Sequence, residues 1–503
     1  MFKQLHNLLL LFVFVLFLFS TGIQADTVGP IKNYVNTGKY LELESNNSYI
    51  QLTPITDDIL RVRVGVKGVK GSDGKYLEDY SYAVMDNMLN NNANYKIVKS
   101  GNTVYLRTNS LEVAIDLDSS LIDIRDLKDG YSYTKDFEPM AFNEVKKSDN
   151  IGKAGLGNAF NEGNAVTITK RLAYNEHFYG LGEKTGKFDK RRASVQMWNT
   201  DAYGYCPTCD PIYQSHPFFI GLKDNKAYGI FFDNTYRTFF DMGSTYEDRY
   251  IFSSEGGEID YYFMRGPSIK NVLTHYTELT GKMPLPPKWS IGHHLCRYSY
   301  YPDTEVLEVV QTARTNKIPL DVIWLDIHYM DEYRIFTWDT SRFPDLKGLT
   351  DKIHSMGAKV VSMIDPGVKV DPGYFVYDQM IQNKYYVKYP DGTPYIGPVW
   401  PGDCIFPDFT KPEVRSWWGN LYKRMLDQGI DGFWNDMNEP AVFNNSKTMA
   451  DDGTFYDFGL NSSHRKMHNV YGLNMIRATY EGVKSLINGR RPFVLSRAGF
   501  SGL

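Results

Sequence analysis

Four apolar runs in the second half of the chain each stop at a charged residue, and this repeated ending constrains the fold more than any other feature. Val322-Ile323-Trp324-Leu325 ends at Asp326, and Val360-Val361-Ser362-Met363-Ile364 ends at Asp365. Ile430 to Asn435 ends at Asp436, and Phe493-Val494-Leu495-Ser496 ends at Arg497. Short continuous apolar runs suit strands buried on both faces, as in a parallel sheet covered by helices. In an α/β barrel the site is built where such strands end, at their carboxyl termini. One such charge is merely the first solvated loop residue, whereas four of them, flanked by Trp324, Trp400 and Trp434, predict one convergent site.

The first half has a different texture. From Ile50 to about Gly281 the period is mostly two: Leu60, Val62, Val64 and Val66 alternate with Arg61, Arg63 and Gly65, and Leu111, Val113, Ile115 and Leu117 with Glu112, Ala114 and Asp116. These read as half-buried strands, with turn dipeptides such as Asp129-Gly130 between them, and predict an antiparallel β-sandwich. Asn87 to Asn94 reads as an exposed loop. The texture changes near Pro284-Leu285-Pro286-Pro287, which predicts a sandwich over 26–282 followed by a barrel over 283–503, an α/β plus all-β chain. Thr410-Lys411-Pro412-Glu413 has the pattern of a capping box opening a helix that Gly429 closes.

At the amino terminus, Lys3 and His6 precede an apolar run, Leu8 to Phe19, with small residues at Ser20, Gly22 and Ala25. A helix of that length spans about 18 Å, short of a hydrocarbon core of ~30 Å, so 1–25 reads as a secretory signal peptide with no membrane anchor in the mature chain. Acceptor sequons at Asn46, Asn444 and Asn461 fit that route. The four cysteines, Cys206, Cys209, Cys296 and Cys404, are too few for a disulfide scaffold. Cys206-Pro-Thr-Cys209 lacks the second pair a zinc site needs and reads as a local disulfide or two inert thiols. With 55 Lys+Arg against 59 Asp+Glu the net charge is 55 − 59 = −4, which gives no basic excess for nucleic acid.

A pocket rich in Asp and Trp, with one Arg, suits a polyol. Carboxylates and Arg hydrogen-bond hydroxyls, indoles stack on a sugar face, and a carboxylate attacks an anomeric carbon. HExxH, P-loop and GxSxG patterns are absent. His464 and His468 lie four apart but read as two surface histidines on a polar helix, so no metal or other cofactor is expected. On a strand, Trp434 and Asp436 share a face while Glu439 points elsewhere, so Asp436 and Glu439 are not an obvious catalytic pair.

The stretch Gly429-Ile-Asp-Gly-Phe-Trp-Asn-Asp436-Met-Asn-Glu-Pro440 resembles the nucleophile signature of glycoside hydrolase family 31, the retaining α-glucosidase family. Phe178-Tyr-Gly-Leu-Gly-Glu183 and Trp198-Asn-Thr-Asp-Ala-Tyr203 resemble that family's amino-terminal, galactose-mutarotase-like sandwich and the loop it inserts into the pocket. Trp324 to Met330, Ile364-Asp-Pro-Gly367, Phe406-Pro-Asp-Phe409 and Leu495-Ser-Arg-Ala-Gly-Phe500 resemble successive barrel strands and loops. The resemblance implies that Asp436 is the nucleophile, and that Asp201, Asp326, Ile327 and Arg497 bind the innermost sugar. It further implies that Asp365 supports that network, and that Trp324, Trp400 and Trp434 line the pocket. Members cleave terminal α-linked glucose from oligosaccharides through a covalent glycosyl-enzyme, without a metal. Trp-Asn-Asp-Met-Asn-Glu is closer to the glucosidase branch than to the xylosidase branch.

In that family the acid/base aspartate lies on the next barrel strand, a short way past the residue matching Arg497, in a Trp-x-Gly-Asp context, and the sequence stops at Leu503 before that point. The expectation is therefore a fragment: a (β/α)8 TIM barrel truncated after about the fifth strand, lacking its proton donor and inactive by itself. A retaining mechanism needs two carboxyl groups about 5–5.5 Å apart. The competing readings are a glucose-trimming enzyme of the endoplasmic reticulum acting on N-glycans, and a non-catalytic carbohydrate-binding relative. The expected location is the secretory pathway, with an extracellular or lysosome-like destination.

Overall fold

Alternation of side chains across a strand lets a sheet keep one face dry, and the amino-terminal half uses this throughout. The computed structural model describes residues 26–503 apart from 70, 72, 146–149 and 153–161, so the expected signal peptide lies outside the described residues. An eight-stranded antiparallel sheet runs from His177–Gly180 through Phe218–Lys223, Lys226–Phe232, Ile259–Arg265 and Ile59–Val66 to Ile31–Asn36. Six- and five-stranded sheets complete the layers, and Leu60, Val62, Val64, Ile168, Phe252, Tyr261 and Phe263 fill the core between them.

The Ile59–Val66 strand departs from the half-buried expectation, because its polar face is buried as well. Arg61 donates through Nε and Nη2 to Asp260 at 2.9 and 2.6 Å and through Nη2 to Asp79 at 2.8 Å, while Arg63 pairs with Glu258. Ile59, Phe231, Tyr262 and Met264 on that side join the core of the second domain. The outer face of this sheet is therefore a seam rather than a solvent surface, which strand periodicity alone does not reveal.

Helix α1 (Ile269–Thr280), capped by Ser268, packs on the same sheet and leads into the second domain. There, five parallel strands lie in sequence order: β1 (His294–Leu295), β2 (Val322–Leu325), β3 (Lys359–Ile364), β4 (Gly432–Asn435) and β5 (Val494–Ser496). Helices α2 (Asp303–Thr315), α3 (Leu346–Ser355), α4 (Pro412–Asp427) and α5 (His464–Leu486) cross between them. The result is the curled, incomplete barrel the sequence predicts, with β1 and β5 as its edges. Helices α4 and α5 cross so closely that a Cβ added at Gly482 would sit 2.2 Å from the Gly419 Cα, a contact only glycine permits.

Helix α4 begins as expected but not by the expected cap. Pro412 occupies its first turn with no side-chain cap, and the Thr410 hydroxyl instead donates to Asp408 and accepts from the Asp457 N–H. His464 and His468 are also not surface residues: both are fully buried in α5, beside the Thr448 hydroxyl. Burial holds both imidazoles well below their ordinary pKa, hence neutral. Cys206 and Cys209 form a local disulfide. Among the described residues no helix is long and apolar enough to cross a membrane.

Candidate active site

Parallel pairing decides which strand-end charges meet. The register matches Trp324 with Val361, Val361 with Gly432, Met363 with Trp434, and Trp434 with Leu495, so these side chains share the concave face. Continuing by one residue along the ladder, which the Asp436 N–H to Ile364 and Arg497 N–H to Asn435 bonds extend, puts Asp365, Asp436 and Arg497 abreast on that face. Asp326 stands one layer lower, level with Met363 and Trp434. Strand spacing of ~4.8 Å therefore sets like-charged carboxylates at neighbouring positions.

Below them the same face is aromatic. Trp324 lies edge-on to Trp434 at 5.8 Å and donates from Nε1 to His294 at 3.1 Å, with Phe493 and Trp289 beside it. Trp400 sits at the rim, 39% exposed, within 5.2 Å of Phe443 and 6.1 Å of Tyr298. Ile327 packs into the barrel core, and its backbone N–H donates to Asp326 Oδ1 at 2.7 Å.

Arg497 is the cation shared by these carboxylates. Its Nε and Nη2 form a fork on Glu439, both bonds 2.7 Å, while Asp436 Oδ1 lies 3.1 Å from Nε and Asp201 Oδ1 lies 3.8 Å from Nη1. Burial opposes the charge on Arg497, but Glu439 and Asp436 outweigh it and hold the guanidinium firmly protonated. The Nε–H is spent on Glu439, so Asp436 Oδ1 sits in an attractive field yet accepts no hydrogen bond from the protein. Burial pushes the Asp436 carboxyl up to about 6, opposed by Arg497 and reinforced by Glu439. Asp365 is raised well above the carboxylate range by burial and then by Asp436, and its Oδ1 also lacks a partner. Burial raises Asp326 too, against the pull of the Ile327 N–H.

Strand-end reading found Asp326, Asp365, Asp436 and Arg497, and all four converge. Asp201 arrives from the other domain, on the loop after Ser194–Met197, and only the family resemblance pointed to it. Glu439 was set aside as lying off the strand face, a reading that misses its grip on an arginine 58 residues away. Met437, at φ 55°, turns the chain sharply between Asp436 and Glu439. Cys296, at the end of β1, was also missed; burial and the nearby charges of Asp326 and Asp436 push its thiol up to about 11. A separate cavity of ≈ 180 Å³ lies at the domain seam, lined by Asp233, Asp260, Tyr80 and Lys466, and contains none of these groups.

Residues 283–503 match the glycosyl hydrolases family 31 TIM-barrel domain, and residues 49–241 match the glycosyl hydrolase 31 N-terminal galactose mutarotase-like domain. Alpha-glucosidase 2 of Bacillus thermoamyloliquefaciens is 53% identical over 353 residues, which are 70% of this chain and 44% of that protein. Human neutral alpha-glucosidase AB is 37% identical over 369 residues, 67% of this chain and 39% of that protein. A Flavobacterium johnsoniae GH31 dextranase complexed with isomaltotriose superposes with a TM-score of 0.83 at 29% identity, covering 95% of this chain and 55% of that one. The catalytic subunit of an ER glucosidase II heterodimeric complex superposes at 0.82 with 25% identity, covering 96% and 59%. The chain thus spans about half the length of the curated relatives it matches. With both domains in the family's order and the carboxylate-lined face where the barrel strands end, this chain belongs to glycoside hydrolase family 31.

Proposed function

We propose that this chain supplies the nucleophile and the innermost sugar-binding groups of a retaining α-glucosidase acting on terminal α-linked glucose in oligosaccharides. The observation that carries the reading is Asp436 Oδ1: paired in charge with Arg497, yet free of any donor that would tie up its lone pairs. A carboxylate in that state attacks carbon. Its oxygen bonds to the anomeric carbon as the glycosidic C–O bond breaks, the leaving oxygen takes a proton from a second carboxyl, and water then hydrolyses the glycosyl ester. Asp365, holding its proton because of burial and Asp436, spares Asp436 a like charge at the neighbouring position. Asp201, Asp326 and Arg497 are assigned to sugar hydroxyls, the Ile327 segment, Trp434 and Trp400 to the walls, and the general acid to a carboxyl outside residues 1–503.

A mechanism-based fluoro-glucoside followed by peptide mapping tests this: the label is expected on Asp436, and a label on any other residue overturns the assignment. The chain of residues 1–503 by itself is expected to turn over a chromogenic α-glucoside at under about 1% of the rate of complete relatives, and comparable turnover overturns the missing-acid reading. The likeness to neutral alpha-glucosidase AB and to glucosidase II supports a second reading, glucose trimming of N-glycans in the endoplasmic reticulum. A preference for glucosylated N-glycan over maltose in the complete protein separates the two. We place the protein in the secretory pathway on the strength of residues 1–25.

A further inference from the structure

Asp201 belongs to one domain and Arg497 to the other, so something must hold the loop that carries Asp201 against the end of β5. The contacts concentrate on one buried side chain, Asn469 of α5, which is 0% exposed. Its Oδ1 accepts the Asn199 N–H at 3.0 Å and the Ser215 hydroxyl at 3.3 Å. Its Nδ2 donates to the carbonyls of Met197 (3.2 Å), Thr235 (3.2 Å) and Tyr236 (3.1 Å). Asn199 answers by donating from Nδ2 to the Asn469 carbonyl at 3.1 Å and to the Gly499 carbonyl, two residues past Arg497, at 3.3 Å.

The neighbouring residue closes the clamp. His468 stacks on Trp198 with ring centres 3.6 Å apart, and its Nε2 lies 2.7 Å from the Asn199 carbonyl; since a carbonyl only accepts, that nitrogen carries the proton. Gln214–Ser215, on the return of the same loop, pairs in parallel with Gly499–Phe500, and Gln214 Nε2 donates to the Arg497 carbonyl at 3.2 Å. Both ends of the Asp201 loop are thus tied to the helix that follows the Asp436 strand and to the strand that carries Arg497. None of these bonds reaches the sugar-facing side of the site. A loop bears conformational freedom that its own residues cannot remove, and an amide with both donors and acceptor spent on backbone groups removes it at several points together.

We propose that Asn469 is a positioning residue that fixes Asp201 beside Arg497 and thereby sets affinity for the sugar, an inference that rests on the glucoside-site reading above. The test compares Asn469→Ala with Asn474→Ala, a buried asparagine of the same helix whose amide donates to the Val470 carbonyl within its own helix. Two readouts are taken on this chain: amide hydrogen exchange over residues 199–203, and titration with the iminosugar 1-deoxynojirimycin. Asn469→Ala is expected to speed exchange at 199–203 by about tenfold or more while β4 amides keep their protection, which Asn474→Ala does not do. It is expected to weaken the iminosugar by about tenfold, and in an Asp201→Ala background that loss shrinks below about twofold, because the effect passes through Asp201. Equal exchange in the two asparagine variants, or an undiminished loss in the Asp201→Ala background, overturns the proposal. If Asn469→Ala does not fold, Asn199→Ser, which leaves α5 intact, is held to the same pattern. If the wild-type chain binds no iminosugar while the exchange result holds, the glucoside reading falls and the positioning role stands.

Discussion

Asp457 and Asp436 lie 21 residues apart, both buried, and their environments push them in opposite directions. At the domain seam, Asp457 accepts from the Tyr80 and Tyr82 hydroxyls at 2.7 and 2.6 Å, from Lys466 Nζ at 2.9 Å, and from the Ser462 hydroxyl. Burial alone would raise its pKa, but Lys466 and these donors outweigh it and hold the carboxyl below its ordinary value. At the barrel mouth, Asp201, Asp365, Asp436 and Glu439 gather around Arg497 with Asp326 near Asp365 and Asp436, and Asp365 and Asp436 keep acceptor oxygens without donors. The protein fills the hydrogen bonds of Asp457, whereas on the proposed reading the open acceptors of Asp365 and Asp436 are filled by a ligand.

The contrast breaks most visibly at Asp436. In the complete protein, Asp436→Ala is expected to lower turnover by about 10³-fold or more, since a lost covalent nucleophile costs several decades. A variant keeping over about 1% of activity on a chromogenic α-glucoside removes Asp436 from that role. Asp457→Ala is expected to act on stability instead, costing about 2–4 kcal/mol by removing the acceptor of Lys466 and of three hydroxyls, read as a fall in Tm. Unchanged Tm would show that the seam does not depend on its saturated carboxylate.

The third prediction is that Asp436→Asn stabilises the fold. A carboxyl raised from 3.8 to about 6 favours the folded state while protonated; that contribution is full below about pH 4 and is lost as pH rises through 6. The asparagine variant therefore gains about 1–3 kcal/mol at pH 7 and nothing below pH ~4, measured as Tm against pH. A gain that grows on acidification contradicts the assignment. Smallest is Glu439→Gln: Glu439 helps to raise Asp436, so its neutralisation is expected to move the acid limb of the complete enzyme's pH–rate profile downward by less than about one pH unit.

Much of the site was legible in the chain because a parallel strand reports its own end: Asp326, Asp365, Asp436 and Arg497 each follow a run that must be buried. Other features had no local signal. Arg61 and Arg63 alternate as solvent-facing residues do, and only the distant Tyr76–Asp79 segment, with Asp260 of the neighbouring strand and Glu258 just before it, covers them. His464 and His468 stand in a helix with polar neighbours, and the insertion of Trp198 from the sandwich makes their face interior. Thr410 matches a capping pattern whose hydroxyl the fold spends on Asp408 and Asp457.

The sequence by itself determined the two textures, antiparallel then parallel, and the identity of the strand-end charges, because periodicity and run length act over a few residues. Only the tertiary structure decided that Asp365, Asp436 and Arg497 stand abreast, that Glu439 grips Arg497, and that Asp201 crosses from the other domain through Asn199 and Asn469. Those relations join residues tens to hundreds of positions apart, and the register and docking that bring them together depend on the burial of whole faces, a quantity no local stretch of sequence carries.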